Sequence, residues 1–381
     1  MSDPSRRVIL AGLVAGGGWL AASRFARLRA AEPGAMVARA SRPLDLESSL
    51  AALDEEFTPN DRFFVRSHFG PAVIDERRFR LEIGGLVGKT LTLTMAELRA
   101  MPKVTVPAVL QCSGNGRALY RPRVPGAQWQ RGGVGQAAWS GVRLGDLLRR
   151  AGIEPAGKFV RLGGGERPPM PSTPSFVRSL PLDKALHPAT LIAYEMNGAP
   201  LPLLHGAPLR AVVPGWVGDD WVKWLRSIRV EAAEDAGFYM KSGYRMPDPP
   251  IKPGETAKPE SMRAMTSMVV KALITRPAAG ARLAGAGALI AGFAFAGERT
   301  VRAVEVSTDD GRSWSAARVA PSKGIGSWQR FELPWKPKPG SYRLLARATD
   351  DSGVTQPERP VWNPGGYLWN GWDDVRCEVT S

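Results

Sequence analysis

The pattern of apolar and polar positions changes character near residue 243. Between residues 79 and 234, short alternating apolar runs that predict strands are mixed with short helical patterns, of which "GVRLGDLLRRAG" (141–152) is the clearest. This mixture predicts an α+β domain, which we place at residues 41–245. The strands that the pattern predicts most clearly are 159–164, 190–198 and 209–214.

A proline-rich segment, "GYRMPDPPIKPGETAKPE" (243–260), follows this region, and we interpret residues 246–260 as an ordered linker. Beyond it the pattern is purely β, with alternating runs such as "ALIAGFAFAG" and "GSYRLLARATDDSG" separated by "DDG" and "DDSG" turns. Alternation at this spacing is typical of an immunoglobulin-like β-sandwich, which we predict over residues 261–381.

The composition agrees with a chain of two or three domains. It has 381 residues, 44% of them hydrophobic, and a formal net charge of +15. A basic chain can bind nucleic acid, an anionic surface or a small anion. No basic run with interleaved aromatic residues and no nucleic-acid motif occurs, so we expect no nucleic-acid partner. A site for a small anion would need only a few of the arginines.

Residues 1–40 are interpreted as an export signal and leader. The paired Arg6 and Arg7 precede a mildly apolar, glycine-rich run from Val8 to Ala22, which is short for a membrane span. The start "SRRVIL" resembles a twin-arginine signal, and an uncleaved anchor helix is the alternative. We therefore expect a periplasmic protein.

The stretch "AVLQCSGNGRALY" (108–120) raises the question of what Cys112 does, since the chain has only one other cysteine, Cys377. A disulfide, a buried inert thiol, a nucleophile and a thiolate metal ligand are all open. Arg117, five residues on, would favour the thiolate. With three histidines in the chain and no Cys-x-x-Cys-His motif, zinc and covalently bound haem are not expected.

Several motifs, in the same order, resemble the sulfite oxidase family of molybdenum enzymes. They are "FTPNDRFFVRSHFG", "LQCSGNGR", "LIAYEMNGAPLPLLHGAPLRAVVPGWVGDDWVKWLRSI" and "DDSGVTQPERPVWNPGGYLWNGW". The resemblance runs from about residue 55 to the end of the chain. It implies a mixed α/β molybdopterin domain followed by an immunoglobulin-like dimerisation domain, which agrees with the fold predicted from the pattern alone.

The resemblance also implies a role for particular residues. Cys112 corresponds to the cysteine that binds molybdenum beside the dithiolene of the pterin, and both are soft donors. A phosphorylated cofactor needs charge-assisted hydrogen bonds, which arginine and lysine supply. Taken singly, each matched residue is more often structural, and it is their occurrence together in the family's order that favours the functional interpretation. The cofactor-binding residues implied are Phe64, Arg66, His68, His205, Arg210 and Lys223.

The implied substrate pocket has two arginines for an oxyanion, Arg66 and Arg117, together with Trp129. Tyr244 matches a tyrosine that donates a hydrogen bond near the metal, and Tyr239 is the competing candidate for that role.

One departure concerns the segment "WNPGGYLWN". Gly365 stands there at the place where vertebrate members of the family carry an arginine that reaches the substrate. The identity of the oxyanion is therefore left open.

The implied reaction is oxygen-atom transfer at a molybdenum–molybdopterin centre, which turns sulfite into sulfate. We expect no haem in this chain, a c-type cytochrome as the external electron acceptor, and a homodimer or a heteromer with a cytochrome subunit. A sulfane dehydrogenase subunit of the thiosulfate-oxidising system is the first alternative, and a periplasmic methionine-sulfoxide reductase is the second. A cofactor-free binding protein that keeps the sandwich is the alternative from a different class.

Overall fold

The computed structural model describes residues 35–285 and 287–381. The predicted twin-arginine motif at Arg6 and Arg7 lies outside these residues. Within them, no helix combines the length and the apolar character needed to cross a membrane. Residues Met36–Ser381 form one compact unit, and two layered regions follow each other within it.

The first region is α+β, as predicted. Its strands are β1 (Val37–Ser41), β2 (Leu44–Glu47), β3 (Leu81–Gly85), β4 (Leu91–Leu93), β5 (Val104–Gln111), β6 (Val134–Arg143), β7 (Phe159–Gly164), β8 (Val177–Pro181), β9 (Leu191–Met196), β10 (Ala199–Pro200), β11 (Arg210–Val212) and β12 (Leu225–Glu231). Its helices are α1 (Met95–Ala100), α2 (Leu144–Ala151), α3 (Leu182–Leu186) and α4 (Phe238–Lys241).

Two five-stranded sheets organise this region. One has the order β10-β9-β6-β5, with β11 also paired to β9, and the other has the order β4-β3-β12-β7-β8. The pair β3–β12 is parallel, whereas β12–β7 and β5–β6 are antiparallel. A single apolar core that includes Ile83, Trp139, Leu162 and Ile228 joins the two sheets.

Helix α2 shows why the sequence pattern works locally. Leu144, Leu147, Leu148 and Ala151 are buried, and their i, i+3, i+4, i+7 spacing places them on one face of the helix. The helix ends at Gly152, which has a positive φ of 74° that suits glycine. The prediction of a helix within residues 141–152 is confirmed.

The second region is the predicted β-sandwich. After β13 (Arg245–Pro247), its strands are β14 (Met262–Ala264), β15 (Lys271–Arg276), β16 (Arg282–Ala284), β17 (Ala288–Phe295), β18 (Val301–Ser307), β19 (Ser315–Ala316), β20 (Arg318–Val319), β21 (Gln329–Trp335), β22 (Gly340–Asp350) and β23 (Asp373–Thr380). The two facing sheets have the orders β15-β17-β21-β20 and β16-β23-β22-β18-β19.

Strand β23 alternates strictly between buried and exposed positions, as a strand with one face on the core does. Val375, Cys377 and Val379 are on its buried face. Cys377 and Cys112 are both free thiols, so the disulfide that the sequence left open is not formed.

The proline-rich segment is closed by a short hairpin, because β13 pairs antiparallel with β14. The predicted linker of residues 246–260 therefore begins inside β13, since Met246 and Pro247 belong to that strand. The domain limits at 40, 245 and 260 otherwise stay predictions.

Candidate active site

Most of the site residues predicted from the sequence lie around one cavity in the first region. The strand end of β5 supplies Cys112, and the segments before β3, around β11 and before β13 supply the others. The predicted residues that line this cavity are Phe64, Arg66, His68, Cys112, His205, Arg210, Lys223 and Tyr244.

Cys112 is held by the chain at the point where β5 ends. Its backbone N–H donates to the carbonyl oxygen of Gly133 at 2.9 Å, which fixes the residue against the neighbouring strand. The pKa of the Cys112 thiol is raised to about 11. Burial is the main cause and Asp219 adds to it, whereas Arg117 and Arg66 act in the opposite direction. The thiol therefore keeps its proton until a metal cation binds the sulfur and displaces that proton.

Arg210 is a buried cation that has no carboxylate partner within the described ranges. Its guanidinium donates to the carbonyl oxygens of His205 at 3.0 Å and Trp221 at 3.2 Å, and it lies 4.8 Å from the centre of the Trp139 ring. Burial lowers the pKa of Arg210 to about 9. An uncompensated charge of this kind favours an anionic ligand, such as a phosphate.

Lys223 is a second cation of the cavity and is half-buried. Its Nζ donates to Ser67 Oγ and to the carbonyl oxygen of Leu204, each at 3.0 Å. Burial lowers the pKa of Lys223 to about 7, and the nearby Glu166 opposes this effect. Arg66 completes the group and has its own carboxylate, Asp45, at 3.2 Å.

The two histidines of the cavity are neutral. Burial lowers the pKa of His205 to about 3, and its Nε2 donates to the carbonyl oxygen of Asn60 at 2.9 Å. Burial also lowers the pKa of His68 to about 3. The His68 ring stacks on Phe176 at 4.2 Å between ring centres.

Tyr244, rather than its competitor Tyr239, faces the cavity. The Tyr244 hydroxyl lies 2.6 Å from His68 Nε2, and the backbone of Tyr244 has a φ of +57°, which is uncommon for a residue with a side chain. Tyr239 does not line the cavity and packs its ring edge-on against His68 at 5.0 Å. Of the two candidates, the geometry favours Tyr244.

The structure does not bring Arg117 and Trp129 to the cavity wall. Arg117 donates from Nε to the carbonyl oxygen of Gly365 at 3.0 Å and from Nη1 to that of Ala127 at 3.1 Å. Trp129 is fully buried, and its ring lies edge-on to Phe64 at 6.1 Å. The predicted contacts of Arg117 and Trp129 with an oxyanion stay predictions.

Two acidic residues that the sequence analysis did not single out also line the cavity, Glu166 and Asp219. Burial raises the pKa of Asp219 to about 7, and its Oδ2 has no hydrogen-bond partner within the described residues. Its neighbour Asp220 instead forms a buried ion pair with Arg178 at 2.8 Å. Nothing in "GDDW" distinguishes the two carboxylates. Glu166, in contrast, directly follows a glycine triplet at the end of a predicted strand, and a charged residue in such a turn is a candidate for a functional site.

The residues present fit a metal-bearing, anionic organic cofactor. Within the described part of the chain no group of three or more His, Cys, Asp or Glu side chains could hold a metal ion. Cys112 would therefore be the one ligand from the protein, and the cofactor would supply the other ligands. Among the residues that the structure describes, the buried side-chain amides of Gln111 and Asn115, close to Cys112 in the chain, carry polar atoms without partners, and Arg210 has only carbonyl oxygens as hydrogen-bond partners.

Comparisons with known proteins agree with this geometry. Residues 68–239 match the family model "Oxidoreductase molybdopterin binding domain", and residues 262–380 match "Mo-co oxidoreductase dimerisation domain". The chain is thus a molybdopterin-binding oxidoreductase with a dimerisation domain. Cys112, His205, Arg210 and Lys223 lie inside the first match.

Comparison with the sequences of individual proteins identifies the family within this class. The chain is 35% identical to sulfite oxidase of Gallus gallus, over 89% of this chain and 77% of that protein. It is 33% identical to mitochondrial sulfite oxidase of Mus musculus over 89% of this chain and 64% of that protein, so it spans less than two thirds of the mouse relative. The sulfite oxidase of Arabidopsis thaliana is 31% identical, over 88% of this chain and 92% of that protein. The chain belongs to the sulfite oxidase family.

A solved structure is similar over the same extent. The crystal structure of the sulfane dehydrogenase SoxCD from Paracoccus pantotrophus superposes with a TM-score of 0.77 at 28% identity, over 88% of this chain and 85% of that one. The predictions of the family, of its two-domain fold and of a molybdenum–molybdopterin cofactor are confirmed.

Proposed function

We propose that the protein oxidises sulfite to sulfate at a molybdenum–molybdopterin centre and passes two electrons to an external c-type cytochrome. The overall balance is SO₃²⁻ + H₂O → SO₄²⁻ + 2H⁺ + 2e⁻. The observation that carries the proposal is the free Cys112 thiol in a cavity that also holds Arg210, a buried cation without a carboxylate partner among the described residues. The bound cofactor would supply the oxygen-atom transfer and accept the electron pair.

Four side chains of this protein would hold that cofactor. The Cys112 thiolate would bind molybdenum as a soft donor. Arg210 and Lys223 would bind the phosphate, because Arg210 is buried without a carboxylate partner among the described residues and Lys223 is half-buried in the same cavity. His205, fixed by its bond to the Asn60 carbonyl oxygen, would present a neutral ring to the pterin.

Arg66 and Tyr244 would orient the substrate. The Arg66 side chain is 31% exposed and only one of its hydrogen bonds goes to a carboxylate, so its guanidinium has donors left for an oxyanion. The Tyr244 hydroxyl faces the same cavity and is held by His68. Arg66 would supply the hydrogen bonds to a small sulfur oxyanion, and Tyr244 would limit where that oxyanion lies in the cavity.

Oxidation of a sulfane sulfur is the second candidate, and a specific observation favours it. Gly365 offers no side chain where an arginine was expected, Arg117 is engaged by carbonyl oxygens, and the carboxyl group of Asp219 lines the cavity. Such a cavity attracts a dianion less strongly than one with three free arginines. The similarity to SoxCD supports the same alternative.

One set of assays separates the candidates. Protein purified from cells that make the cofactor is supplied with ferricyanide or cytochrome c as electron acceptor, and with sulfite or thiosulfate in turn; methionine sulfoxide is offered separately, with a reduced dye as electron donor. We expect sulfite-dependent reduction of the acceptor by protein that holds about one molybdenum per chain. Protein without molybdenum from such cells would contradict both candidates, and turnover with sulfane sulfur alone would select the second.

We also propose a periplasmic location and an assembly formed through the sandwich, either a homodimer or a heteromer with a cytochrome subunit. The "SRRVIL" motif supports the location, and the dimerisation-domain match supports the assembly. Cell fractionation of the Arg6→Lys/Arg7→Lys double variant tests the first, with retention in the cytoplasm expected. Light scattering of the purified protein tests the second, and a lone monomer would contradict it.

A further inference from the structure

The hydroxyl of Tyr244 is joined to a histidine whose ring is held rigidly. Tyr244 Oη and His68 Nε2 are 2.6 Å apart, a short hydrogen bond. The His68 ring stacks on Phe176 at 4.2 Å and meets the Tyr239 ring in an edge-to-face contact at 5.0 Å, so two aromatic groups restrict the imidazole. His68 therefore keeps its Nε2 directed at Tyr244.

The other ring nitrogen of His68 faces a carboxylate. His68 Nδ1 lies 3.8 Å from Glu166 Oε2, while Glu166 Oε1 accepts the backbone N–H of His68 at 3.1 Å. The Glu166 side chain is 7% exposed, and Arg167, which follows it, is exposed. The three side chains thus stand in a row along the cavity wall, in the order Tyr244, His68, Glu166.

The charges around His68 determine which atoms carry protons. Burial and then the cations Arg66, Lys223 and Arg178 lower the pKa of His68, so its imidazole is neutral and has one N–H and one lone pair. A carboxylate opposite Nδ1 favours the tautomer with hydrogen on Nδ1. Nε2 then accepts the hydrogen bond from Tyr244, whose oxygen keeps its lone pairs for a donor in the cavity.

Oxidation of sulfite releases two protons per turnover in this cavity, so the inference rests on the proposed function. We propose that Tyr244, His68 and Glu166 form a path that carries a proton from the Tyr244 side of the cavity to a carboxylate elsewhere on its wall. Tyr244 takes a proton from a donor in the cavity and gives its own to His68 Nε2, as the Nδ1 proton passes to the Glu166 carboxylate. The net change is one proton moved, with both Tyr244 and His68 neutral again.

Within this path, Glu166 has two functions. It fixes the tautomer of His68, and it receives the proton that the ring gives up from Nδ1. The 3.8 Å separation exceeds a direct hydrogen bond, so the Glu166 side chain must close on the ring for the transfer. Burial raises the pKa of Glu166, which helps its carboxylate to accept a proton, and Lys223 opposes this effect.

The tautomer can be measured without turnover. The chain has only three histidines, so ¹⁵N-histidine labelling of the full-length protein gives three imidazole spin systems, and His187→Gln and His68→Gln assign them. We expect His68 to carry its hydrogen on Nδ1 in the wild type. In Glu166→Gln, the amide of Gln can donate to Nδ1, and the hydrogen should move to Nε2. A wild-type His68 protonated on Nε2 would overturn the proposal.

The kinetic test uses matched glutamine variants of two buried glutamates. Glu166→Gln should lower kcat for sulfite by about tenfold or more at unchanged molybdenum content, with KM within about twofold. Glu47 also accepts backbone N–H groups, from Gly132 at 2.7 Å and Gln130 at 3.1 Å, but it does not line the cavity, so Glu47→Gln should keep the wild-type kcat.

Wild-type kcat in Glu166→Gln, or an equal loss in Glu47→Gln, would contradict the path. A wild-type protein that holds molybdenum but does not oxidise sulfite would overturn the proposed function instead, and the tautomer of His68 would still be measurable.

Discussion

Arg117 Nε donates a hydrogen bond of 3.0 Å to the carbonyl oxygen of Gly365, and this bond ties the loop after Cys112 to the C-terminal segment of the chain. The guanidinium fits there because glycines surround it. A Cβ atom on Gly114 would come within 2.7 Å of the Arg117 side chain, and one on Gly366 within 2.8 Å. Where the resemblance implied an arginine reaching for substrate, this chain has a backbone carbonyl that holds another arginine.

Alanine at position 366 should destabilise the protein. Gly366 has a φ of +59°, and its Cβ would lie 2.3 Å from Val124 Cγ2. We expect Gly366→Ala to lower the free energy of unfolding by about 2–3 kcal/mol, measured by urea unfolding. Gly353→Ala is the control, since Gly353 also has a positive φ of 91° but no atom near the added Cβ. An equal loss in the two variants would show that the clash is absent.

Arg117 and Arg66 should differ in their effect on substrate binding. Arg66 lines the cavity, so Arg66→Met should raise KM for sulfite by about tenfold or more. Arg117→Met should change KM by less than about threefold and lower the free energy of unfolding by about 2 kcal/mol, since two carbonyl groups lose their donors. Steady-state kinetics and urea unfolding provide the comparison. A similar rise of KM in both variants would mean that Arg117 reaches the oxyanion.

Removal of Arg210 should strongly reduce cofactor binding but only slightly reduce the stability of the fold. With no carboxylate partner in the described residues, Arg210→Met leaves no buried charge behind. We expect molybdenum content to fall about tenfold or more, while the unfolding free energy of cofactor-free protein changes by less than about 2 kcal/mol.

Arg178→Met is the contrast for Arg210→Met, because it leaves Asp220 buried and unpaired. We expect that variant to lose about 3–5 kcal/mol of unfolding free energy. Metal analysis and urea unfolding decide both cases. Full molybdenum content in Arg210→Met would contradict a phosphate site at this residue.

His205 should make cofactor-free protein less stable in acid. In the folded chain burial lowers the pKa of His205 to about 3, whereas in the unfolded chain it is about 6.5. Between these values the unfolded state binds the extra proton, so stability falls as pH decreases below 6.5, by up to about 1.4 kcal/mol per pH unit. Above 6.5 both states are neutral and the effect vanishes.

Urea unfolding between pH 4 and 7 measures this slope, and His205→Gln should reduce it. His187→Gln is the control, because His187 is less buried and should alter the slope less. Identical slopes in wild type and His205→Gln would contradict a neutral, buried His205.

The parts predictable from the sequence are those with local signals. Alternation revealed the sandwich strands, the i, i+3, i+4 spacing revealed helix α2, and ordered motifs identified Cys112 and Arg210. The direction of a side chain has no such signal. Arg117 is five residues from Cys112, yet partners 10 and 248 residues away in the chain turn it from the cavity.

The acidic residues show the same limit. Asp219 and Asp220 are neighbours with the same chemistry, and only the tertiary packing of Arg178 decides which one is paired. The carboxylate of Glu166 accepts a hydrogen bond from the backbone N–H of His68, which lies 98 residues earlier in the chain, and this bond holds Glu166 in the site. Contacts of this kind depend on how the two sheets pack, which periodicity does not encode.

The central claim is that Cys112 holds a molybdenum centre that oxidises sulfite. The most direct test is the rate of sulfite-dependent ferricyanide reduction per bound molybdenum, for wild type and Cys112→Ser. We predict turnover by the wild type and a loss of about a hundredfold or more in Cys112→Ser, because a hydroxyl is a harder and weaker donor than a thiolate. Equal rates per molybdenum in the two proteins, or no sulfite-dependent rate in molybdenum-loaded wild type, would contradict the claim.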